Sequence, residues 1–143
     1  KGQLLEELAV RFFSKISGLK VIERIRTKTE EIDLVFLNEC NEGILKSESP
    51  LILAECKNWT TKKAGKNEYV AFREKLINRR SRAKLGFFIS GLGYAKTFFE
   101  EDLRNSKDDI LIVPLVVGDI IEILNDGKSV QEFIEKKYVE AGK

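Results

Sequence analysis

The stretch 51-LILAECKNW-59 decides how this sequence folds and where its chemistry lies. Its first four residues are apolar, as in a β-strand that is covered on both faces. Glu55 and Lys57 follow while the strand still continues. Because strand side chains alternate between faces, Glu55 and Lys57 point one way and Cys56 the other. We therefore predict a core strand that ends in a carboxylate and an ammonium, with Cys56 as a small buried apolar residue behind them.

Helices and strands are predicted in regular order around this stretch. Apolar spacing predicts a first helix over 2–17, and two strands over 19–27 and 31–37 are separated by a turn at 28–30. The other predicted segments are a polar connection at 38–49, a strand at 50–59, a basic loop at 60–66, a helix at 67–83, a strand at 84–90, a helix at 94–106, a strand at 109–116, and helices at 118–125 and 129–139. A meander followed by strand–helix–strand crossovers predicts an α/β fold, with a mixed five-stranded sheet and helices on both faces.

Composition limits the classes of protein that the chain can represent. With 143 residues, 43% apolar and 34% charged, it has the size and composition of one globular domain covering 1–143. Two cysteines without a framework or metal-ligand spacing favour the cytoplasm. The sequence begins at Lys1 and contains no Met, so we expect a domain excised from a longer protein or a chain whose start is missing. The absence of His excludes imidazole-based triads and zinc sites.

Charge is unevenly distributed along the chain. The segment from Lys57 to Lys84 carries a net charge of +8, and the remainder carries −6. A basic segment in an otherwise acidic domain favours a phosphate-rich partner such as DNA. The alternative is a solvated helix face without a partner.

Carboxylates on neighbouring elements are expected to converge near the end of the 50–59 strand. If the strand that contains Asp33 is its hairpin neighbour, Asp33 and Glu55 meet at one end of the sheet. Glu6, at the margin of the first helix's apolar face, could approach the same point. Carboxylates without His form an oxygen-ligand site that suits Mg²⁺, with Mn²⁺ as the alternative. The simpler interpretation is an ion pair between Glu55 and Lys57, with Asp33 as a turn-side carboxylate.

Asp33 followed by Glu55-Cys56-Lys57 resembles the D…ExK motif of the PD-(D/E)xK nuclease superfamily. The segment 1-KGQLLEELAVRFFSKISGLKV-21 resembles the first helix of its Mrr-like restriction endonuclease branch. The segment 85-LGFFISGLGYAKTFFEEDLRN-105 and the following ILIVPLVVGDIIEIL resemble what comes after the motif in that branch. The similarity thus runs from Lys1 to about Leu124.

This resemblance implies a restriction-endonuclease-like fold and Mg²⁺-dependent hydrolysis of DNA. Asp33 and Glu55 would bind the metal, Lys57 would be the catalytic lysine, and Glu6 would be an accessory metal-binding carboxylate. The sequence departs from the family in having Ile32 where many members have proline before the aspartate. Its connection at 38–49 is also long, and is either an extended hairpin or a substrate-facing loop.

The helix after the motif strand carries a further polar residue in the family, commonly Gln. This sequence offers Lys66, Asn67 or Glu68 there, which leaves that position open.

These observations lead to the hypothesis of a metal-dependent DNA endonuclease domain, with recognition supplied by further domains of a longer parent protein. DNA contacts are expected from the basic residues after the motif, which are Lys62, Lys63, Lys66, Arg73, Arg79 and Arg80. Three alternatives remain: a catalytically silent nucleic-acid-binding module on the same fold, a junction-resolving nuclease acting as a homodimer, and an interaction domain without a nucleic-acid partner.

Overall fold

A computed structural model describes residues 2–26 and 31–142 of the chain. The helices are α1 (Gly2–Phe13), α2 (Lys66–Ile77), α3 (Lys96–Arg104), α4 (Val117–Asp126) and α5 (Val130–Ala141), and the strands are β1 (Leu19–Arg26), β2 (Glu31–Asn38), β3 (Leu51–Lys57), β4 (Ala83–Ser90) and β5 (Leu111–Val116). The predicted order of elements is confirmed, while the predicted turn at 28–30 and the strand residue Thr27 lie outside the described residues. No described helix has both the length and the apolar character needed to cross a bilayer.

The strands form one mixed sheet in the order β1-β2-β3-β4-β5. The first three strands are antiparallel neighbours, whereas β4 and β5 run parallel to β3. Parallel neighbours need a crossover connection, and α2 and α3 provide it. The predicted α/β class and mixed five-stranded sheet are therefore confirmed, while membership of the restriction-endonuclease-like fold stays a prediction.

Two separate apolar cores cover the two faces of the sheet. On one face, residues of α1, α4 and α5 pack against alternate residues of the strands, such as Ile32, Leu34 and Cys56. On the other face, residues of α2 and α3 pack against Val35 and Leu53. Helices on both faces were predicted and are observed. Cys56 is fully buried in the first core, which confirms that it faces away from Glu55.

Helix α2 lies close against the sheet and ends earlier than predicted. A Cβ atom at Gly86 would lie only 2.7 Å from Cζ of Phe72, so β4 needs glycine there for α2 to pack. The helix ends at Ile77, and the prediction that it continues to 83 is wrong. Arg80 and Ser81 adopt positive φ angles of 55° and 65°, which a right-handed helix cannot contain. The arginines after Ile77 thus lie in a turn.

The long connection between β2 and β3 is part of the first core. It contains a short 3₁₀ turn at Ile44–Ser47, and the Leu45 side chain there is fully buried. The Asn38 side-chain amide donates a hydrogen bond of 2.8 Å to the Leu45 carbonyl. Since Leu37 pairs with Leu51 beside this connection while Glu31 pairs with Lys57, the connection lies at the opposite end of the β2–β3 pair from the motif. The substrate-facing alternative is therefore not supported.

Candidate metal centre

Strands β2 and β3 bring the motif residues side by side. Asp33 is the direct cross-strand partner of Glu55, and Glu31 is the partner of Lys57. Opposed residues on one face of an antiparallel pair have Cβ atoms about 5 Å apart. All four side chains lie on the face that carries α2, because they alternate with Ile32 and Cys56, which face α1. The predicted meeting of Asp33 and Glu55 is thus observed.

Three carboxylates form a compact cluster at this position. Glu31, Asp33 and Glu55 each place one oxygen so that the three atoms lie within 4.8 Å of one another. Glu55 is only 1% exposed. Among the described residues, Glu55 Oε2 and Asp33 Oδ1 are buried without any hydrogen-bond partner. Unsatisfied buried oxygens are costly, and oxygen is the donor that Mg²⁺ and Mn²⁺ prefer, so the cluster fits a hard divalent cation.

An unexpected lysine from α2 also reaches this cluster. Lys75 Nζ donates to Glu31 Oε2 at 2.7 Å, to Asp33 Oδ2 at 2.9 Å and to Glu55 Oε1 at 2.7 Å. Its side chain is 36% exposed, so it enters the cluster from the solvent side. The three donor protons of one ammonium are therefore divided among three carboxylates.

Burial and the two lysines set the protonation of the cluster. Burial raises the pKa of Glu55 to about 7, although the hydrogen bond and charge of Lys75 oppose this. Burial likewise raises the pKa of Asp33 against the pull of Lys75. For Glu31, burial acts upward, but the ammonium groups of Lys75 and Lys57 outweigh it and the pKa is lowered. Burial alone would lower the pKa of Lys75, yet its carboxylate partners raise it, so Lys75 stays charged.

Lys57 lies at the edge of the cluster, between carboxylates and an aromatic ring. Its Nζ is 3.0 Å from Glu31 Oε1 and 3.8 Å from Glu55 Oε2. The same nitrogen lies 4.9 Å from the centroid of the Trp59 ring, and Lys62 Nζ lies 4.2 Å from it. Cations are attracted to the face of an aromatic ring. The half-buried Trp59 therefore links the motif lysine to the basic loop that follows it.

Glu6 is not brought to the cluster, and this part of the predicted site is not observed. Its carboxylate lies 3.0 Å from Arg26 Nε and 3.5 Å from an Arg24 guanidinium nitrogen. Arg24 and Arg26 pair with Leu34 and Ile32, whose side chains face α1. Glu6 thus lies on the opposite face of the sheet from Glu55, where it neutralises the arginines of β1.

The predicted DNA-binding residues fall into two groups. Arg73 forms an ion pair with Asp108, and an Arg79 guanidinium nitrogen lies 3.5 Å from Glu23. The other four are exposed and have no carboxylate partner among the described residues; they are Lys62, Lys63, Lys66 and Arg80. Five of the ten cations between Lys57 and Lys84 are neutralised within the described fold, so the net charge of this segment overstates the free positive surface.

Two residues of the cluster were missed by the sequence analysis, although the sequence contains a signal for each. Glu31 is two residues before Asp33, so strand alternation places both side chains on one face. Lys75 follows Phe72 by three residues and precedes Leu76, both of which are buried. A lysine on the inward side of a helix is unusual unless it pairs with a carboxylate there. Among the polar residues of α2 that the sequence offered, Lys75 contacts all three carboxylates, whereas the described residues show no hydrogen bond or ion pair between the cluster and Lys66, Asn67 or Glu68.

The larger cavities of the described fold lie away from the cluster. One of about 430 Å³ is lined by residues of α3, β5 and α5, among them Phe99, Pro114 and Lys137. A much smaller one of about 50 Å³ adjoins the cluster and is lined in part by Asp33, Phe72 and Lys75. The small cavity has room for a water-sized ligand. The small cavity is the better candidate for a ligand site, because Asp33 and Lys75 of the cluster line it.

Comparison of the chain with models of known protein families, with curated proteins and with solved structures gave no significant match. The resemblance to the PD-(D/E)xK nucleases therefore depends on Asp33, Glu55, Lys57 and their surroundings, and it stays a prediction.

Proposed function

We propose that this protein is a metal-dependent nuclease that hydrolyses phosphodiester bonds in DNA. The observation that carries the proposal is the direct pairing of Asp33 with Glu55, with Lys57 on the same face and two buried carboxylate oxygens that have no donor among the described residues. Burial raises the pKa of Glu55 to about 7, so ionisation of this carboxylate lowers the stability of the fold. Such groups cluster at functional sites.

Asp33 and Glu55 would hold the metal ion, and Glu31 offers a third carboxylate oxygen within reach of the same point. Mg²⁺ or Mn²⁺ bound there would neutralise negative charge on a phosphate and lower the pKa of an attacking water. The carboxylates fix that position because strand pairing, rather than a loop, sets the spacing of Asp33 and Glu55.

Lys57 would act on the phosphate that is cleaved. As an ammonium it can donate hydrogen bonds to a non-bridging oxygen and stabilise the negative charge that develops there. To accept a proton from the attacking water it would first have to lose its own. Contacts with Glu31 and the Trp59 ring hold the ammonium at the rim, which favours the role of phosphate ligand.

Exposed lysines next to the motif support DNA as the substrate. Lys62 contacts the same Trp59 ring as Lys57. Lys63 and Lys66 are also exposed, and Lys66 is the first residue of α2. Lysines bind the phosphate backbone without reading sequence. They would therefore position a duplex beside the cluster, and sequence recognition would come from elsewhere.

A second candidate function is a nucleic-acid-binding module without catalysis. The observation that favours it is Lys75, which already donates a hydrogen bond of 2.7 to 2.9 Å to each of the three carboxylates. A cluster whose carboxylates are held together by a lysine of the same chain needs no metal to be stable. In this case the acidic residues would be structural, and only the exposed lysines would bind DNA.

Cleavage of supercoiled plasmid DNA in the presence of Mg²⁺ or Mn²⁺ separates the two functions. We expect the wild-type protein to nick the plasmid, and Asp33→Asn and Lys57→Met to reduce the rate by about 100-fold or more. Lys96→Met is the matched control, because it removes an exposed lysine that is 3.7 Å from Glu100 on α3. Cleavage by both site variants at the wild-type rate would refute the assignment.

Binding of the same DNA, followed by fluorescence anisotropy in the presence of a chelator, identifies the alternative. If the wild type binds DNA with the salt dependence of lysine–phosphate contacts but never cleaves it with either metal, the protein is a binding module.

A further inference from the structure

Lys75 occupies the position where a divalent ion would be expected. Its ammonium contacts one oxygen of each of the same three carboxylates that could hold a metal. The ion pair between Arg79 and Glu23 of β1 shows that the turn directly after α2 lies over the β1–β2 edge of the sheet. Lys75 is therefore delivered to the cluster by the packing of α2, which also buries Phe72 and Leu76.

We propose that Lys75 is an exchangeable resident cation, which a divalent metal ion must displace from Glu31, Asp33 and Glu55 before the site can act. This inference rests on the proposed function, because it concerns the same metal site. Lys75 would set the metal concentration at which the enzyme switches on. When no metal is bound, Lys75 stabilises the fold and occupies one oxygen of each carboxylate.

The ammonium leaves part of the cluster unsatisfied, which is the independent sign that another ligand belongs there. Glu55 is 1% exposed, and its Oε2 has no hydrogen-bond partner among the described residues. Asp33 Oδ1 is in the same state. Lys75 has three donor protons and has used one on each carboxylate, so it cannot satisfy these oxygens as well. A divalent ion accepts six or more oxygen ligands and could.

Charge balance also favours the exchange. With the three carboxylates ionised and both lysines charged, these five described side chains carry a net charge of −1. Replacing Lys75 by a divalent ion brings it to zero, while Lys57 stays at the rim. When all three carboxylates are ionised, the exchange thus removes one unit of negative charge from a buried cluster, where unbalanced charge is costly.

Lys75 has a route out of the cluster. Its side chain is 36% exposed, in contrast to the 1% of Glu55, so the ammonium can swing into solvent on its flexible stem without moving α2. Binding of metal and binding of the ammonium are mutually exclusive because both use the same oxygens. Competition of this kind is reciprocal, so removal of Lys75 must strengthen metal binding.

The test is Mn²⁺ binding by isothermal titration calorimetry, in alkaline buffer so that the carboxylates are ionised. We expect Lys75→Met to bind Mn²⁺ about tenfold tighter than wild type or more. Lys96→Met should bind as wild type does, and Lys75→Met combined with Asp33→Asn should not bind measurably. Circular dichroism of each variant verifies that it is folded.

The outcomes separate this inference from the nuclease function. Equal affinity of wild type and Lys75→Met would overturn the inference and leave the metal site intact. Absence of Mn²⁺ binding to both would overturn the inference and the metal-dependent function together. Tight binding by Lys75→Met, in a protein whose wild type never cleaves DNA, would support the exchange and refute the nuclease.

The unsubstituted protein provides a second measurement if Lys75→Met does not fold. Acetylation of lysines, followed by mass spectrometry, reports how available each ammonium is. We expect Mg²⁺ to increase the acetylation rate of Lys75 severalfold and to leave that of Lys96 unchanged. Saturation with Mg²⁺ without any change at Lys75 would overturn the inference.

Discussion

Substitution of Glu55 by glutamine should make the protein more stable at neutral and alkaline pH. Burial raises the pKa of Glu55 from an ordinary value near 4.5 to about 7. The folded state therefore binds this proton more tightly than the unfolded state. The stability that the Glu55 proton contributes is fully present when the pH is below the ordinary pKa of glutamate, and it is lost as the pH rises through about 7. Glutamine has nearly the same shape and never ionises, so it does not incur this loss.

The size of the effect follows from the two pKa values. Each pH unit between them is worth about 1.4 kcal/mol of unfolding free energy, which gives about 3 kcal/mol in total. Glu55→Gln should thus match wild type below about pH 4.5 and exceed it by about 3 kcal/mol above neutral pH. With a urea dependence near 2 kcal/mol per molar, the midpoint of unfolding should rise by about 1.5 M.

The assay is urea unfolding at several pH values, with a chelator present so that metal does not stabilise the wild type. Glu122→Gln is the control, since Glu122 is exposed and only 3.7 Å from Lys128, and surface pairs contribute little. The reasoning would be refuted if, at alkaline pH, the wild-type protein had a higher free energy of unfolding than Glu55→Gln. A gain that does not depend on pH would also refute it, because titration of Glu55 is the stated cause.

Three further substitutions test other parts of the structure. Glu6→Gln should leave plasmid cleavage within about threefold of wild type while Asp33→Asn abolishes it, because Glu6 contacts arginines on the other face of the sheet; an equal loss in both would place Glu6 in the site. Leu45→Ala should lower the free energy of unfolding by about 2 to 5 kcal/mol without changing the cleavage rate of the remaining folded protein, since Leu45 is fully buried; a loss below 1 kcal/mol in urea unfolding would show that the connection at 38–49 is not part of the core. Gly86→Ala should cost about 1 to 3 kcal/mol in the same assay because its Cβ would meet Phe72, and an unchanged midpoint would contradict the packing of α2 on β4.

Much of the sheet could be predicted because local signals agreed with one another. Alternation in β3 placed Glu55 and Lys57 on one face and Cys56 on the other, and the structure has them so. On the assumption that β2 and β3 are hairpin neighbours, Asp33 could then meet Glu55, and the observed register pairs them. Such inferences succeed because the two-residue period of a strand leaves little freedom once pairing is known.

The position of α1 relative to the sheet could not be predicted in the same way. Both faces of the central strands are apolar, so the sequence does not show which face a given helix covers. Glu6 was expected near Asp33 because it lies at the margin of the first helix's apolar face and because of the family resemblance. The packing of α1 on the opposite face separates the two residues. Which face of the sheet α1 covers is decided by tertiary packing, since no short-range sequence pattern distinguishes the two faces.

Lys75 illustrates a different limit. It lies 20 residues from Glu55 in sequence, and only the packing of α2 on the sheet brings the two within 2.7 Å. Its place beside Phe72 and Leu76 was visible, but the basic character of the whole segment favoured a solvated or DNA-facing role. Here a long-range contact overrides the interpretation suggested by composition.

The three hydrogen bonds from Lys75 to the carboxylates also bear on how such a protein can evolve. A metal site whose ligands depend on the metal for stability cannot lose the metal without losing the fold. In this chain the Lys75 ammonium contacts Glu31, Asp33 and Glu55 on its own. Under the proposed function, a descendant that lost Lys57 would lose catalysis but would still fold, and it could persist as a DNA-binding protein. Regaining the lysine would also need only one substitution. A metal-dependent nuclease and a DNA-binding protein on this fold would therefore differ by a single residue.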